Sequence, residues 1–289
     1  MAENHERVFG DIKPHWLKTR LGTGADFAFV SRVVEAHALN TICSSGRCPN
    51  RVECWNRRTA TFMILGDTCT RSCRFCATKS GRPLPVDPGE PLRVADSVVK
   101  MGLRHVVITS VTRDDLADGG AAQWAATVRA VREAAPASAV ELLIPDFQGR
   151  QVETVAGAAP NIIGHNIECV RRLTPQVRSG ASYETSLRTL EQIAATGLAT
   201  KSGLMAGLGE SDDEVLETLA DLRRSGCRIV TIGQYLQPTP QHLAVSEYVH
   251  PERFDRWRDR ALEMGFSYVA SGPLVRSSYM ADRALEHCV

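Results

Sequence analysis

Nowhere in this chain do about 18 apolar residues run together, so no segment has the length a helix needs to cross a bilayer. Charge of one sign is equally scarce. The formal net charge is +1, which excludes a molecule that grips nucleic acid or a membrane surface by its overall field. The first residues, Met-Ala-Glu-Asn-His-Glu-Arg, lack the basic start and apolar stretch of a secretory signal, and a cytoplasmic setting is expected. There is no low-complexity tract, and no repeat beyond an alternation of short β-branched runs with amphipathic stretches. Acidic residues thin out between positions 41 and 82, where Arg47, Arg51, Arg57, Arg58, Arg71, Arg74, Lys79 and Arg82 face only Glu53 and Asp67. Such a local surplus suits bound thiolates, a carboxylate-bearing ligand or an acidic protein partner.

What the chain has is cysteine. Six of its nine cysteines lie between Cys43 and Cys76, in two triplets. In a chain without a secretory signal this clustering reads as reduced thiols bound to metal, not as disulfides. The second triplet is Cys69-Thr-Arg-Ser-Cys73-Arg-Phe-Cys76, a C-x3-C-x2-C run. A [4Fe–4S] cluster is normally held by four thiolates, one per iron. Three thiolates on one loop leave the fourth iron open to another ligand, which lets a cluster act on a bound molecule. A structural zinc knuckle would want a fourth Cys or His nearby. The first triplet, Cys43, Cys48 and Cys54, has C-x4-C-x5-C spacing and likewise no local fourth ligand. The C-terminal Arg276-Ser277-Ser278-Tyr279 offers one from a distance. Cys169, Cys227 and Cys288 are isolated and read as small buried hydrophobes.

The C-x3-C-x2-C run, with Phe75 before its last cysteine, resembles the cluster loop of the radical S-adenosylmethionine (SAM) enzymes. With C-x4-C-x5-C ahead of it and RSSY near the C-terminus, the chain resembles the lipoyl synthase family from about residue 13 to Ala281. The Lys13-Pro14-His15-Trp16-Leu17-Lys18 segment is similar to that family's N-terminal signature and is expected across the active-site mouth. Met280 departs from the histidine that many relatives carry after RSSY.

The resemblance implies two [4Fe–4S] clusters. One, on Cys69, Cys73 and Cys76, binds SAM and cleaves it to a 5′-deoxyadenosyl radical. The other, auxiliary cluster lies on Cys43, Cys48 and Cys54 with Ser277 as its fourth ligand, a harder and weaker one than thiolate. The implied reaction inserts sulfur at C6 and C8 of a protein-bound octanoyl-lysine, with the auxiliary cluster as donor and Ser277, Cys69, Cys73 and Cys76 as the catalytic set. Implied partners are an octanoylated lipoyl carrier domain (2-oxoacid dehydrogenase E2 or glycine cleavage H protein) and reduced flavodoxin or ferredoxin, with no nucleic acid, no membrane and a monomeric protein. For SAM the resemblance points to Asp115 beside Gly119 and Gly120, to Glu168 for the ribose, to Arg178 and Lys201 for a carboxylate, and to Gly203 and Met205 in an adenine-side loop. The competing readings are a two-cluster enzyme of the biotin-synthase or methylthiotransferase type, and a non-catalytic iron–sulfur carrier or zinc-stapled module. Those enzymes place auxiliary ligands elsewhere, and a carrier completes each cluster with four thiolates.

From residue 60 the alternation predicts strands at 61–65, 105–111, 140–145, 162–167, 200–205 and 229–235. Helices are predicted near 92–101, 121–134, 150–158, 182–196, 212–225 and 251–264. Six βα units imply parallel strands with right-handed crossovers. The resemblance makes this an α/β fold, a partial (β/α)6 TIM-like barrel of the radical SAM type over 61–269. Residues 1–60 form an N-terminal extension carrying the first cysteine triplet, and 270–289 a C-terminal extension carrying RSSY. Sites in such barrels gather at the C-terminal ends of the strands.

Overall fold

The computed structural model describes residues 13–19 and 24–285. Cys288 and the first twelve residues lie outside them. The six expected βα units are present. Strands β1 (Thr61–Ile64), β2 (His105–Ser110), β3 (Ala139–Leu143), β4 (Ile162–Gly164), β5 (Ala199–Ala206) and β6 (Ile229–Gln234) pair in chain order, all parallel. Helices α1 (Glu90–Met101), α2 (Ala121–Ala134), α3 (Arg150–Ala156), α4 (Tyr183–Ala195), α5 (Asp212–Arg224) and α6 (Pro251–Glu263) alternate with them. A strand covered on both faces needs no polar side, which is why β1 and β6 are buried along their full length.

A seventh parallel strand, β7 (Tyr268–Gly272), follows α6 and pairs with β6. The barrel therefore runs through Gly272, across the boundary expected at 269/270. β7 has one partner and is half-buried throughout, so it needs no apolar run, and its Tyr-Val-Ala-Ser-Gly sequence carries little strand signal. At the other edge Asn40–Thr41 pairs antiparallel with β1. The two outer strands of this eight-stranded sheet do not pair with each other, so the barrel is open.

The helices cover the sheet with apolar stripes of helical period. In α1 these are Val94, Val98 and Met101, all buried, while Leu92 faces out. Ser211 starts α5 with a capping box: its Oγ accepts from the Glu214 N–H, and the Glu214 carboxylate accepts from the Ser211 N–H at 2.9 Å. Ser182 caps α4 by accepting from Thr185 N–H at 3.0 Å. Cys169 and Cys227 are buried in the core as small apolar groups, and burial pushes both thiols up to about 12.

The floor of the barrel holds charge. Lys201 Nζ donates to Glu141 Oε1 at 2.5 Å, and His105 Nε2 lies 3.1 Å from Glu141 Oε2, all three side chains being buried. Burial raises the Glu141 carboxyl, but Lys201 and His105 outweigh it and hold the group below its ordinary range. This corrects the expectation that Lys201 meets a ligand carboxylate. β5 begins at Ala199, so Lys201 stands near its start, opposite Ile229, the first residue of β6. It is a floor residue, not a rim residue.

Candidate active site

A cavity of about 380 Å³ opens at the C-terminal ends of the strands. Its wall includes Cys43 and Cys48 from the first triplet, Cys69, Cys73 and Cys76 from the second, Glu168, Arg178, Gly203 and Met205, and Ser277 from the C-terminal segment. Ten of the residues singled out in the sequence thus share one space. Cys54, on the short helix Arg51–Asn56, stands behind them, close enough to Cys43 and Cys48 for both to act on its thiol.

The second triplet sits in the loop after β1. Its ends are tied by a short parallel bridge, Thr68–Cys69 against Lys79–Ser80. Cys69 Sγ accepts backbone N–H bonds from Arg71 (3.4 Å) and Thr112 (3.3 Å). Arg71, inside the motif, is clamped by two rim carboxylates. Its Nε and Nη2 each donate to Asp114 at 2.8 Å, and its Nη1 to Asp146 at 2.6 Å. A guanidinium fork held this way fixes a loop in two directions. His242 adds a further tie, its Nε2 lying 2.9 Å from the Cys76 carbonyl.

The first triplet is joined to the C-terminal segment across more than 200 residues. Asn50 Nδ2 donates to the Leu274 carbonyl at 2.6 Å, and Tyr279 Oη donates to Glu53 Oε1 at 2.9 Å. Arg276 reaches the cavity wall beside Cys48, and burial lowers its pKa. Ser277 Oγ accepts from Asn166 Nδ2 at 2.8 Å.

Do these residues fit iron–sulfur clusters? All eight described cysteines are free. Burial pushes the thiols of Cys48, Cys73 and Cys76 up, and that of Cys54 to about 12, so anionic sulfur here calls for a positive partner. Among the described residues no three His, Cys, Asp or Glu side chains converge on a point that would hold a single ion. A cluster asks for something else, one thiolate at each of several irons, and does not need ligands to meet at one point. Backbone N–H groups on Cys69 and the Arg276 guanidinium beside Cys48 match the anionic sulfur of such a group. The donor set fits.

On the opposite wall, hydrogen bonds run from Arg178 into the barrel. Arg178 Nη1 donates to Ser186 Oγ at 2.5 Å, and that oxygen lies 3.0 Å from His165 Nε2. The other ring nitrogen, Nδ1, faces the Ile144 carbonyl at 3.1 Å and must carry the proton, so Nε2 accepts from Ser186. This arrangement suits a neutral imidazole. Burial and then Arg178 push His165 down to about 4, consistent with that. Burial raises the Glu168 carboxyl, with Arg178 and Asn166 opposing. Glu168 has φ +69°, held by its N–H on Gly203 O (3.0 Å) and its carbonyl on Met205 N–H (2.8 Å).

Three expected SAM contacts after β2 do not line the cavity. Asp115 forms a two-pronged ion pair with buried Arg113, at 2.8 Å on both oxygens, which holds its carboxyl below the ordinary range. Gly119 and Gly120 are needed for packing. Both have positive φ, and a Cβ at Gly120 would stand 2.5 Å from Leu65 Cδ1. The 15–17 turn also stays off the cavity wall, with Trp16 packed edge-on against His250 at the start of α6.

The sequence assigned no role to His165 or Asn166, which lie in the strand expected at 162–167, nor to Asp146. The signal for Asp146 was its position directly after Ile144-Pro145 at the end of β3.

Comparison with known proteins follows the same lines. A family model described as the radical SAM superfamily matches residues 63–222. The chain is 56% identical over 273 residues to the lipoyl synthase of Parabacteroides distasonis, covering 94% of this chain and 97% of that protein. It is 55% identical to the lipoyl synthase of Bacteroides fragilis, covering 94% and 95%. Among solved structures, the FeFe-hydrogenase maturase of Carboxydothermus hydrogenoformans superposes with a TM-score of 0.56, covering 90% of this chain and 77% of that one. At 12% identity that likeness speaks to the fold alone.

Proposed function

Since the chain belongs to the lipoyl synthase family of radical SAM enzymes, we propose that it inserts two sulfur atoms, at C6 and C8, into an octanoyl group on a lysine of a lipoyl carrier domain. A [4Fe–4S] cluster with SAM, when bound, supplies the radical that takes hydrogen from an unactivated carbon, a task no side-chain base can perform. Cys69, Cys73 and Cys76 would hold that cluster, and Cys43, Cys48, Cys54 and Ser277 would hold a second, auxiliary one whose sulfide would supply the inserted sulfur. The carrying observation is that residues of both triplets and Ser277 open on one cavity, so hydrogen removal and sulfur delivery would share one space.

The side chains on this wall bind and orient. Arg178, facing the cavity and braced by Ser186, receives the SAM carboxylate. Glu168 accepts from the ribose hydroxyls, and Gly203 and Met205 flank the adenine. Asp115, Gly119, Gly120 and Lys201 are left out of the set, for the packing and pairing reasons given above. The neutral His165 keeps Arg178 aimed without adding a charge to the wall.

The acceptor is a 2-oxoacid dehydrogenase E2 or glycine cleavage H domain. Electrons come from an acidic flavodoxin or ferredoxin attracted to the cationic 41–82 region, and the enzyme works as a monomer in the cytoplasm. Among the described residues no helix is long and apolar enough to cross a membrane.

The test is anaerobic reconstitution followed by incubation with SAM, reductant and an octanoyl-lysine peptide, read by mass spectrometry. The expected products are 5′-deoxyadenosine and a peptide carrying two added sulfurs, with about one turnover per protein because the donor is consumed. 5′-Deoxyadenosine with an unsulfurated peptide would overturn the substrate assignment.

A further inference from the structure

Asn166 stands where the two halves of the cavity meet. Its side chain reaches Glu168 on one side and Ser277 on the other, the latter at 2.8 Å from Nδ2 to Oγ, across 111 residues of sequence. Ser277 Oγ has Asn166 as its hydrogen-bonding partner, the second contact of the pair being 3.1 Å to Oδ1. The space for this meeting is made by Gly203. A Cβ there would lie 2.7 Å from Asn166 Oδ1, 2.9 Å from Ser277 Oγ and 2.9 Å from Thr231 Oγ1. Three polar groups from three separate segments therefore converge on the one position of β5 that lacks a side chain. A serine alone rotates among three staggered positions, so its oxygen needs an outside contact to keep one direction.

We propose that Asn166 is the positioning residue for Ser277: its amide fixes the serine rotamer and offers an N–H to the negative charge an iron-bound oxygen carries. This rests on the assignment of Ser277 as the auxiliary-cluster ligand. Asn166 touches no iron, and acts as the outer partners of metal ligands do, by holding the ligand atom in place. Its amide suits that place better than a carboxylate, which would repel the oxygen, or an aliphatic group, which would release it. Gly203 is part of the same device, because any larger residue would push the amide and the hydroxyl apart.

The test reads iron, not turnover. Anaerobically loaded protein is mixed with a ferrous chelator of the bipyridyl type, without SAM or peptide, and the loss of the most labile iron is followed by absorbance. Asn166→Ala should release that iron about tenfold faster than the unaltered protein. Ser277→Ala should do the same, and the double variant should be no faster than either single one, since both remove one contact. Ser277→Cys supplies a thiolate that holds iron by its own softness, so adding Asn166→Ala to it should change nothing. Asn166→Ala matching the unaltered protein while Ser277→Ala is fast would overturn the role of Asn166 and leave the ligand assignment standing. Rapid loss on adding Asn166→Ala to Ser277→Cys would also overturn it, because Asn166 would then act by another route. An unchanged rate in Ser277→Ala would overturn the ligand assignment and this inference with it.

Discussion

Arg71 carries more structural weight than any other charged side chain of its loop. One guanidinium joins the second cysteine triplet to the ends of β2 and β3 through Asp114 and Asp146, the latter only 8% exposed. Replacing one member of a buried pair strands the other. Arg71→Met should lower apoprotein stability by about 3 kcal/mol, read from urea unfolding, because Asp146 keeps its burial and loses its partner. Adding Asp146→Leu should recover part of the loss, and no recovery would show that the pair is not the cause. At the first triplet, Cys54→Ala should reduce bound iron and sulfide to roughly half after reconstitution, one of the two proposed clusters being lost. Full content would remove Cys54 from the ligand set. None of the arginine geometry was legible in advance. The motif marked Arg71 only as one cation among eight, since its partners come from other strands.

At the scale of elements, the helix starts were readable and the strand floor was not. Ser211 and Glu214 are three residues apart, and the capping box they form follows from local chemistry alone. Ser211→Ala should cost about 1 kcal/mol of stability, visible as a lowered Tm, and should leave the cavity untouched. The Lys201–Glu141–His105 group behaves differently, because three strands must align before its members meet. Lys201→Met should destabilise the apoprotein by about 3–5 kcal/mol, and Lys201→Met with Glu141→Leu should restore much of it. A Lys201→Met variant of normal stability but weakened SAM binding would revive the rim role that the fold assigns elsewhere. β7 went unread for a related reason: an edge strand with one neighbour needs little apolar patterning, so its short Tyr-Val-Ala-Ser-Gly run passed for the start of a tail.

Over the whole molecule, two buried groups contribute to the acid limb of stability, beside ion-paired carboxylates such as Glu214 and Asp114. His165 is pushed from 6.5 to about 4 in the folded protein, so the unfolded chain binds the extra proton between those values. That stability is complete above about pH 6.5 and is lost as the pH falls towards 4. Glu141, whose folded pKa lies below 4.5, adds a further loss as the pH drops beneath that value. The apoprotein Tm should therefore fall from pH 6.5 downward, and His165→Gln should flatten the slope between 6.5 and 4. A slope that persists in the variant would place the titration on another group.

The sequence by itself determined the repeating βα units, the helix caps and the two thiol triplets, because those rest on periodicity, local hydrogen bonding and ligand spacing, all carried by near neighbours; the distant serine was marked by its resemblance to a family motif. Only the tertiary structure decided which residues face the cavity. Strand register sent Lys201 to the floor, close packing against Phe147 and Leu65 explained Gly119 and Gly120, and the crossing of three segments at Gly203 brought Asn166 to Ser277. Those outcomes depend on where separate strands end relative to one another, a quantity no single segment contains.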